Sequence, residues 1–482
     1  MTAQSYDVIV IGAGPAGYAA AIRSAQLGKK TACIDRKLNA ANEPRLGGTC
    51  FSAGCIPSKT LLELSEFYEH ASQFLSQHGL RYEHLSLDLE AMMARKEQVI
   101  DNLAQGIATL FKAHGITWLA GHGLLLGERR VGFTPHGGVP QSLEAEHIVL
   151  APGSVPVTLP GIAFDGLRII DSADALSLTA PPKRLGVVGA GVIGLELASI
   201  WRRLGSEVVL LDAQESFLSH CDEQIMREAQ RNFVRQGLDL RLNARVTGAQ
   251  VDDQGVSVQY QHEGHALEER VTHLLVAVGR QPATDGLISP QAELALDEYG
   301  LIHVNEVCET TLPGVYAVGD CVRGPMLAHK GAEEGRVVAE RICGEDIQIH
   351  YSTIPQVIYT LPEIAWLGKT EQALKAEGVP YRSGVFPFSV SGRARAMDAT
   401  SGMVKLLTHQ ENDRLLGAHI IGAQASELIA SLVVAMEFGA CGEDLARMVF
   451  PHPTLAQAIP EAAALATQGY SLHMGRAPTP SP

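Results

Sequence analysis

The chain has 482 residues, 46% of them hydrophobic and 19% charged, with a formal net charge of −15. That length calls for about two to four domains, and the acidic balance speaks against nucleic acid or an anionic membrane surface as a partner. Eight cysteines in so long a chain are too few for a disulfide scaffold and fit a reducing, cytoplasmic compartment.

The opening MTAQSYDVIVIG has no basic stretch ahead of its apolar run, so it does not read as a signal peptide. Residues 6–11 make a short β-branched run that ends in GAGPAG, with Gly12, Gly14 and Gly17, and a small-residue helix follows to about Leu27. A second strand at 31–34 ends on Asp35, 18 residues past Gly17. This is the strand–GxGxxG–helix–strand–acid order of a dinucleotide-binding unit. The glycines permit a tight turn, a close approach of backbone to pyrophosphate and close helix packing, and the acid takes a ribose hydroxyl. Alone, GxGxxG can mark no more than a turn; the correctly spaced acid makes it specific.

A polar loop at 37–46 leads into GGTCFSAGCIPSK at 47–59. Cys50 and Cys55 stand five positions apart, with Pro57 just behind. In a regular helix that spacing is ~7.5 Å of rise, whereas a disulfide needs Cα atoms about 4.4–6.8 Å apart. The two can bond only across a distorted helical turn. Strained or exposed disulfides are the easily reduced ones, and a helix N-terminus stabilises a thiolate. The stretch therefore reads as a redox-active dithiol. Half a zinc site, or two unrelated buried thiols, are the alternatives. Zinc needs further paired ligands, yet Cys33, Cys221, Cys308, Cys321, Cys343 and Cys441 are scattered singly, so the redox reading is the stronger.

Residues 55–77 and 89–114 carry helical apolar spacing. Short strands are expected at 117–120, 123–126 and 130–133, and the run 147–151 leads into Pro152, Gly153 and Ser154, where the first domain is interrupted. The pattern then repeats: a strand at 185–188, GAGVIG with Gly189, Gly191 and Gly194, a helix through Leu204, and a strand at 207–211 closing on Asp212, again 18 residues past the third glycine. Two fingerprints mean two dinucleotides, or a duplication with one dead copy; both copies keep every glycine and the acid, which favours two live sites. The Asp212 carboxylate repels a 2′-phosphate, and Ala213 and Gln214 offer it no cation, so NAD is expected over NADP. Glycines and Glu196 spoil the apolar stretch 185–201 as a membrane span.

Residues 238–278 read as antiparallel strands ending in VGRQP, followed by a strand at 300–304 and a buried strand within 312–320, LPGVYAVGD, closing on Gly319 and Asp320. Taken alone, Asp320 suits a turn or a helix N-cap. A helix at 329–343 ends this half. The region from 354 to about 466 has no phosphate motif, and its segments 417–424 and 425–439 are apolar enough for an interface. His452 lies between Pro451 and Pro453, where the backbone is restrained; a histidine on such a turn is more often structural. The Pro- and Ser-rich tail 475–482 has the composition of a disordered segment.

Taken together, GGTC-x4-C-IPSK and the motifs over about residues 7–466 resemble the flavin-dependent pyridine nucleotide–disulfide oxidoreductases, the IPSK ending resembling their dihydrolipoamide dehydrogenase branch. The resemblance implies an α/β chain with two Rossmann-like domains and an α+β C-terminal domain. FAD would be held by residues 1–154 and 281–353, NAD by 155–280, and dimerisation would fall to 354–482. It implies Cys50 as the interchange thiol, Cys55 as the thiol facing the flavin, a Lys59–Glu196 pair beside the flavin, and His452 of the other subunit as acid–base. FAD contacts are implied at Gly12, Gly14, Gly17, Asp35, Gly48, Thr49, Lys59, Gly123, Ser154, Asp320, Met326, Leu327, Ala328 and His329. NAD contacts are implied at Gly189, Gly191, Ile193, Gly194, Glu196, Asp212, Val246 and Gly279, and no metal is implied. The expected protein is a cytoplasmic homodimer that reoxidises dihydrolipoamide on the lipoyl-bearing subunit of a 2-oxo acid dehydrogenase or glycine-cleavage type complex. Electrons would pass through the dithiol and FAD to NAD⁺.

The departures are Gln457 where the family has Glu, Phe450 where a second His often sits, Pro152 within the family's ATG, and Ala283 in place of Asn. Only Gln457 touches chemistry. It leaves open an NADH diaphorase in which the dithiol step has decayed, although both cysteines and His452 weigh against that. Glutathione- and trypanothione-type reductases resemble IPSK less and prefer NADP. A mercuric reductase would need a C-terminal cysteine pair, and no cysteine follows Cys441.

Overall fold

The computed structural model describes residues 4–474; the tail 475–482 lies outside them. The chain forms two compact units, one gathering residues up to 64, 81–180 and 276–349, the other 65–80, 181–275 and from 350 on.

In the first unit the strand Gln4–Ile11 lies between Thr31–Asp35 and Gln141–Leu150, parallel to both, and Val315–Ala317 extends the sheet in parallel beyond Gln141–Leu150. Alternate residues point to opposite faces of a strand, and here both faces are covered. Ile9, Ile11, Ile34 and Leu150 pack on one side, and Val8, Val10, Cys33 and Val149 on the other. That double burial is why these strands read as unbroken apolar runs. The two short strands expected at 117–120 and 123–126 are one strand, Thr117–Gly127. Its first part pairs in parallel with Thr31–Asp35 and its second folds back antiparallel on Arg130–Pro135. Gly121, at φ +156, is the point of change, since a Cβ there would come within 2.2 Å of Thr134 O. A glycine that reads as a break in sequence is a bend within the strand. No strand forms at 300–304, where Ile302 and Val304 make only isolated bridges.

In the second unit Arg184–Val188, Glu207–Leu211 and Leu238–Arg241 pair in parallel. The expectation of antiparallel strands through 238–278 therefore fails at its start, and it holds for the meander Arg245–Asp252, Gly255–His262 and His265–Val271. A buried apolar run carries no sign of its direction. The C-terminal part is a five-stranded antiparallel sheet backed by the helices Ala425–Glu437 and Ala458–Gln468. Residues 417–424, expected at an interface, mostly belong to its central strand Leu415–Gly422, which is buried within the unit. In the second expected segment, 425–439, Val434 and Phe438 are 58% and 87% exposed, and Val449 beyond it is 99% exposed. A buried ion cluster braces this unit: Lys405 Nζ reaches both oxygens of Asp222, the N-cap of the helix Glu223–Arg235, and Glu371 as well.

Candidate active site

The two cysteines sit on either side of a break in a helix. A short helix, Gly48–Ser52, enters through Gly47 in the left-handed region, and a second helix begins on Cys55 and runs to Gln73. Ala53 and Gly54 interrupt the spiral, and a Cβ on Gly54 would stand 3.0 Å from Thr49 O. This is the distorted turn that the spacing requires, and it leaves Cys55 at a helix N-terminus, where free N–H groups and the helix dipole favour a thiolate. Both side chains are half-buried thiols. The hydrogen bond to Cys55 and burial push the Cys50 thiol well up from its ordinary range, the Cys55 charge adds to this, and Lys59 opposes it. Tyr18 stands within electrostatic reach: burial raises its phenol, and the charges of Cys50 and Cys55 raise it further.

The first glycine turn and the cysteine turn meet backbone to backbone. A Cβ on Gly48 would lie 2.6 Å from Gly14 Cα, and Gly47 N–H donates to Ala13 O at 3.1 Å. Gly12, at φ +105, would drive a Cβ to 2.1 Å from Ala151 O, and Gly17 would drive one to 1.7 Å from Gly12 O. The helix Pro15–Gln26 starts at Gly14 without a side-chain cap, so its first N–H groups are kept for an anion. The residues present therefore fit a dinucleotide whose phosphates rest against bare backbone. Asp35 accepts Ala13 N–H at 2.6 Å and Lys37 N–H at 2.7 Å; burial raises its pKa, and these two bonds oppose the rise.

The second turn repeats the first, bond for bond. Asp212 accepts Ala190 N–H at 2.7 Å and Gln214 N–H at 2.8 Å, a Cβ on Gly194 would meet Gly189 O at 2.0 Å, and the helix Val192–Arg203 starts at an uncapped Gly191. Each fingerprint acid thus braces its glycine turn in addition to any ribose it faces. Ile193 lies in the first turn of that helix and Val246 beside a bulge in Arg245–Asp252. Gly279, at φ +132, has open space around it but belongs to the first unit. Glu196 is no solvated helix acid: it is 3% exposed and accepts Tyr359 N–H at 3.0 Å. Lys59 belongs to the first unit and Glu196 to the second.

Asp320 lies inside the short turn Gly319–Cys321, whose N-cap is Val318, so it does not cap a helix. Ser154 Oγ donates to Asp320 Oδ2 at 2.6 Å, and Arg280 donates to Ser154 Oγ at 2.7 Å and to Ser154 O at 2.6 Å. Burial lowers the Arg280 pKa, against the negative charges of Asp320, Asp171 and Cys55. Arg280 went unremarked in sequence although VGRQP marks it, because its partner Ser154 lies 126 residues away. Met326 and Leu327 lead into Ala328 and His329, the uncapped first residues of the helix Ala328–Ile342. Thr49 is in the short cysteine helix. Gly123 packs on Ile11 and Ile34, where a Cβ would stand 3.0 Å from Ile11 Cγ2.

His452 is exposed, with Nδ1 2.9 Å from Gln457 Oε1. Thr454 N–H donates to the same oxygen at 3.3 Å. That second donor turns the amide oxygen toward the ring, so Nδ1 carries the hydrogen and Nε2 is left as the basic atom. Glu461, a carboxylate one helical turn beyond Gln457, contacts His473 Nδ1 at 3.0 Å instead. Phe450 packs against the core of the C-terminal sheet.

The description "Pyridine nucleotide-disulphide oxidoreductase" matches residues 6–335, and its "dimerisation domain" matches residues 354–463. The chain belongs to the pyridine nucleotide-disulphide oxidoreductase family. FAD and NAD are the cofactors of this family, in keeping with two glycine turns built alike. Among curated relatives, the dihydrolipoyl dehydrogenase of Cupriavidus necator is 45% identical, covering 98% of this chain and 100% of its own. The mitochondrial dihydrolipoyl dehydrogenase of Bos taurus is 43% identical over 97% and 92%. Among solved structures, LpdA of Mycobacterium tuberculosis superposes with a TM-score of 0.87 at 27% identity, covering 95% and 99% of the two chains. The HOCl-induced flavoprotein disulfide reductase RclA of Escherichia coli gives 0.83 at 27%, over 96% and 100%. The family and α/β fold class expected from the motifs are the ones found. Among the described residues no helix is long and apolar enough to cross a membrane.

Proposed function

We propose that the protein is an NAD-dependent, FAD-containing dihydrolipoyl dehydrogenase. The observation that carries this is a dithiol, split across a helix break, seated directly on the first glycine turn. Nearly full-length identity to named dihydrolipoyl dehydrogenases supports it. In our reading residues 1–154 and 281–353 hold FAD, 155–280 hold NAD, and the part from 354 on joins two copies into a homodimer. The apolar residues Val434, Phe438 and Val449 lie on that last part.

In the oxidised enzyme a dihydrolipoyl thiol gives its proton to Nε2 of the partner subunit's His452 and attacks Cys50. A mixed disulfide forms, the Cys50–Cys55 bond breaks, and Cys55 leaves as a thiolate held by its helix N-terminus. The second substrate thiol then closes the lipoyl disulfide, and its proton passes to Cys50 as that sulfur is released. Bound FAD would supply an electron-pair acceptor for the dithiol, and bound NAD⁺ a hydride acceptor in turn. Gly12, Gly14, Gly17, Gly48, Asp35, Ser154 and Asp320 hold the flavin nucleotide; Gly189, Gly191, Gly194 and Asp212 hold NAD. The partner is a lipoyl-bearing subunit of a 2-oxo acid dehydrogenase or glycine-cleavage type complex, and the compartment is the cytoplasm. A diaphorase with a decayed dithiol step is not favoured, because the thiols remain hydrogen-bonded and His452 keeps an acceptor at Nδ1.

Subunit complementation tests the reading. Cys50→Ser and His452→Ala homodimers are each expected to be inactive with dihydrolipoamide, and exchange of their subunits should restore activity through the one intact site of each mixed dimer. No recovery despite demonstrated exchange would overturn a site shared between subunits.

A further inference from the structure

Lys330 and Glu334 lie one turn apart on the helix Ala328–Ile342, 1% and 0% exposed, and pair at 3.3 Å. Two of their hydrogen bonds meet on one backbone residue, Gly319. Glu334 Oε2 accepts the N–H of Gly319 at 2.8 Å, while Lys330 Nζ donates to the Gly319 carbonyl at 3.1 Å and to the Arg323 carbonyl at 2.9 Å. Gly319 is in the left-handed region at φ +83, and a Cβ on Gly331 would stand 3.0 Å from its Cα, so the helix lies directly on the turn. The next residue is Asp320, which Ser154 and Arg280 grip from the other side.

Ion pairs this deeply buried add little stability, because desolvating two charges offsets their attraction, and apolar side chains of similar size often serve as well. What this pair supplies is direction. Both the N–H and the C=O of Gly319 must be satisfied once the chain leaves the strand, and a charged acceptor and a charged donor set them at fixed angles.

We propose that Lys330 and Glu334 are positioning residues for the flavin site. They fix the Gly319–Asp320 turn so that the Asp320 carboxylate meets the cofactor's sugar-chain hydroxyls in one orientation. Neither touches the cofactor, and the inference rests on the reading of Asp320 as a flavin-binding residue.

The test is titration of full-length apoprotein with FAD, followed by flavin fluorescence, with far-UV CD melts of each apoprotein alongside. Lys330→Met/Glu334→Leu removes both charges together and should keep the native far-UV CD spectrum at the assay temperature, with a lowered melting temperature because Gly319 N–H loses its acceptor. It should nevertheless bind FAD at least about 10-fold more weakly, since the turn is no longer held. In an Asp320→Asn background the same pair of changes should cost no more than about 2-fold, because residues acting through one group are not additive. Glu334→Gln, which keeps an acceptor for Gly319 N–H, guards against a misfolded double variant and should weaken FAD binding by about 2- to 5-fold with the apo fold intact. Wild-type FAD affinity in the double variant would overturn the proposal, as would a full 10-fold loss persisting in the Asp320→Asn background. If the wild-type protein binds FAD and Asp320→Asn binds it equally well, the reading of Asp320 fails, and the inference with it.

Discussion

Replacing Gln457 by Glu isolates the one departure from the family pattern that touches chemistry. Gln457 Oε1 already lies 2.9 Å from His452 Nδ1 and is oriented by Thr454 N–H, so a carboxylate at this position inherits the geometry and adds only a charge. With charge centres ~4 Å apart, its attraction for an imidazolium is about 1 kcal/mol in water and about 4 kcal/mol at an effective dielectric of 20. His452 is exposed in the single chain and would be partly enclosed in a shared site, so about 1–3 kcal/mol is the useful range. If roughly half of that is felt in the proton-transfer transition state, dihydrolipoamide turnover rises by about 2- to 15-fold. Quinone reduction by NADH needs no proton from a substrate thiol and should not change. Both rates are measured in the same preparation, so a change in flavin content cancels in their ratio. A ratio that stays flat, or both rates rising together, would refute the role given to His452. Glu461→Gln should leave the ratio unchanged, because Glu461 faces His473; a collapse would mean that the wrong carboxylate has been set aside.

On partial reduction the yellow protein should develop a long-wavelength absorption band from the Cys55 thiolate against oxidised flavin, and Cys55→Ser should abolish it; a persisting band would reassign the flavin-facing thiol. Because Asp212 braces the second glycine turn through two backbone bonds, the cleaner test of coenzyme choice is Gln214→Arg. This exposed cation should shift the NADP/NAD preference by about 5- to 30-fold, a charge-assisted contact being worth roughly 1–2 kcal/mol there, and an unchanged preference would count against a 2′-hydroxyl site. Burial lowers the His419 pKa from 6.5 to about 4, Asp222 and Glu371 working against the fall and Lys405 with it. The unfolded chain takes up this proton below pH ~6.5 and the native one only near pH 4, so the folded protein should lose about 3 kcal/mol as pH falls through that window. His419→Gln should flatten the dependence of melting temperature on pH there. Glu371, held down to about 2 chiefly by Lys405 against the opposing effect of burial, adds a separate loss at lower pH.

What could be read in advance follows from how local each signal is. The two glycine turns were legible because their physics is confined to about thirty residues: a bare backbone crossing, an uncapped helix start and an acid that returns to the turn. The helix break was legible as well, since five positions between two thiols cannot be reconciled with both a regular helix and a disulfide, and Ala53 and Gly54 are where the spiral gives way. Strand direction at Leu238–Arg241 and the continuity of Thr117–Gly127 were not, because apolar runs record burial and not pairing.

The charged residues were the hardest to place, and for one reason. AHKGAEEG at 328–335 reads as a solvated helix face, yet Lys330 and Glu334 are buried there. The backbone groups they satisfy, in Gly319 and Arg323, lie across a turn that no periodicity announces. The same holds for Arg280 on Ser154 and for Glu196 on the backbone of Tyr359. In each case the charge meets a backbone or hydroxyl group brought near only by the fold. A buried charge is costly unless it is hydrogen-bonded, so these side chains mark where the fold requires a particular backbone geometry. Two of the three hold the turn on which Asp320 sits and the strand that begins at Ser154. The motifs mark the glycine turns and the acids that brace them, and the charges packed behind Asp320 and Ser154 fix the backbone from which those side chains project.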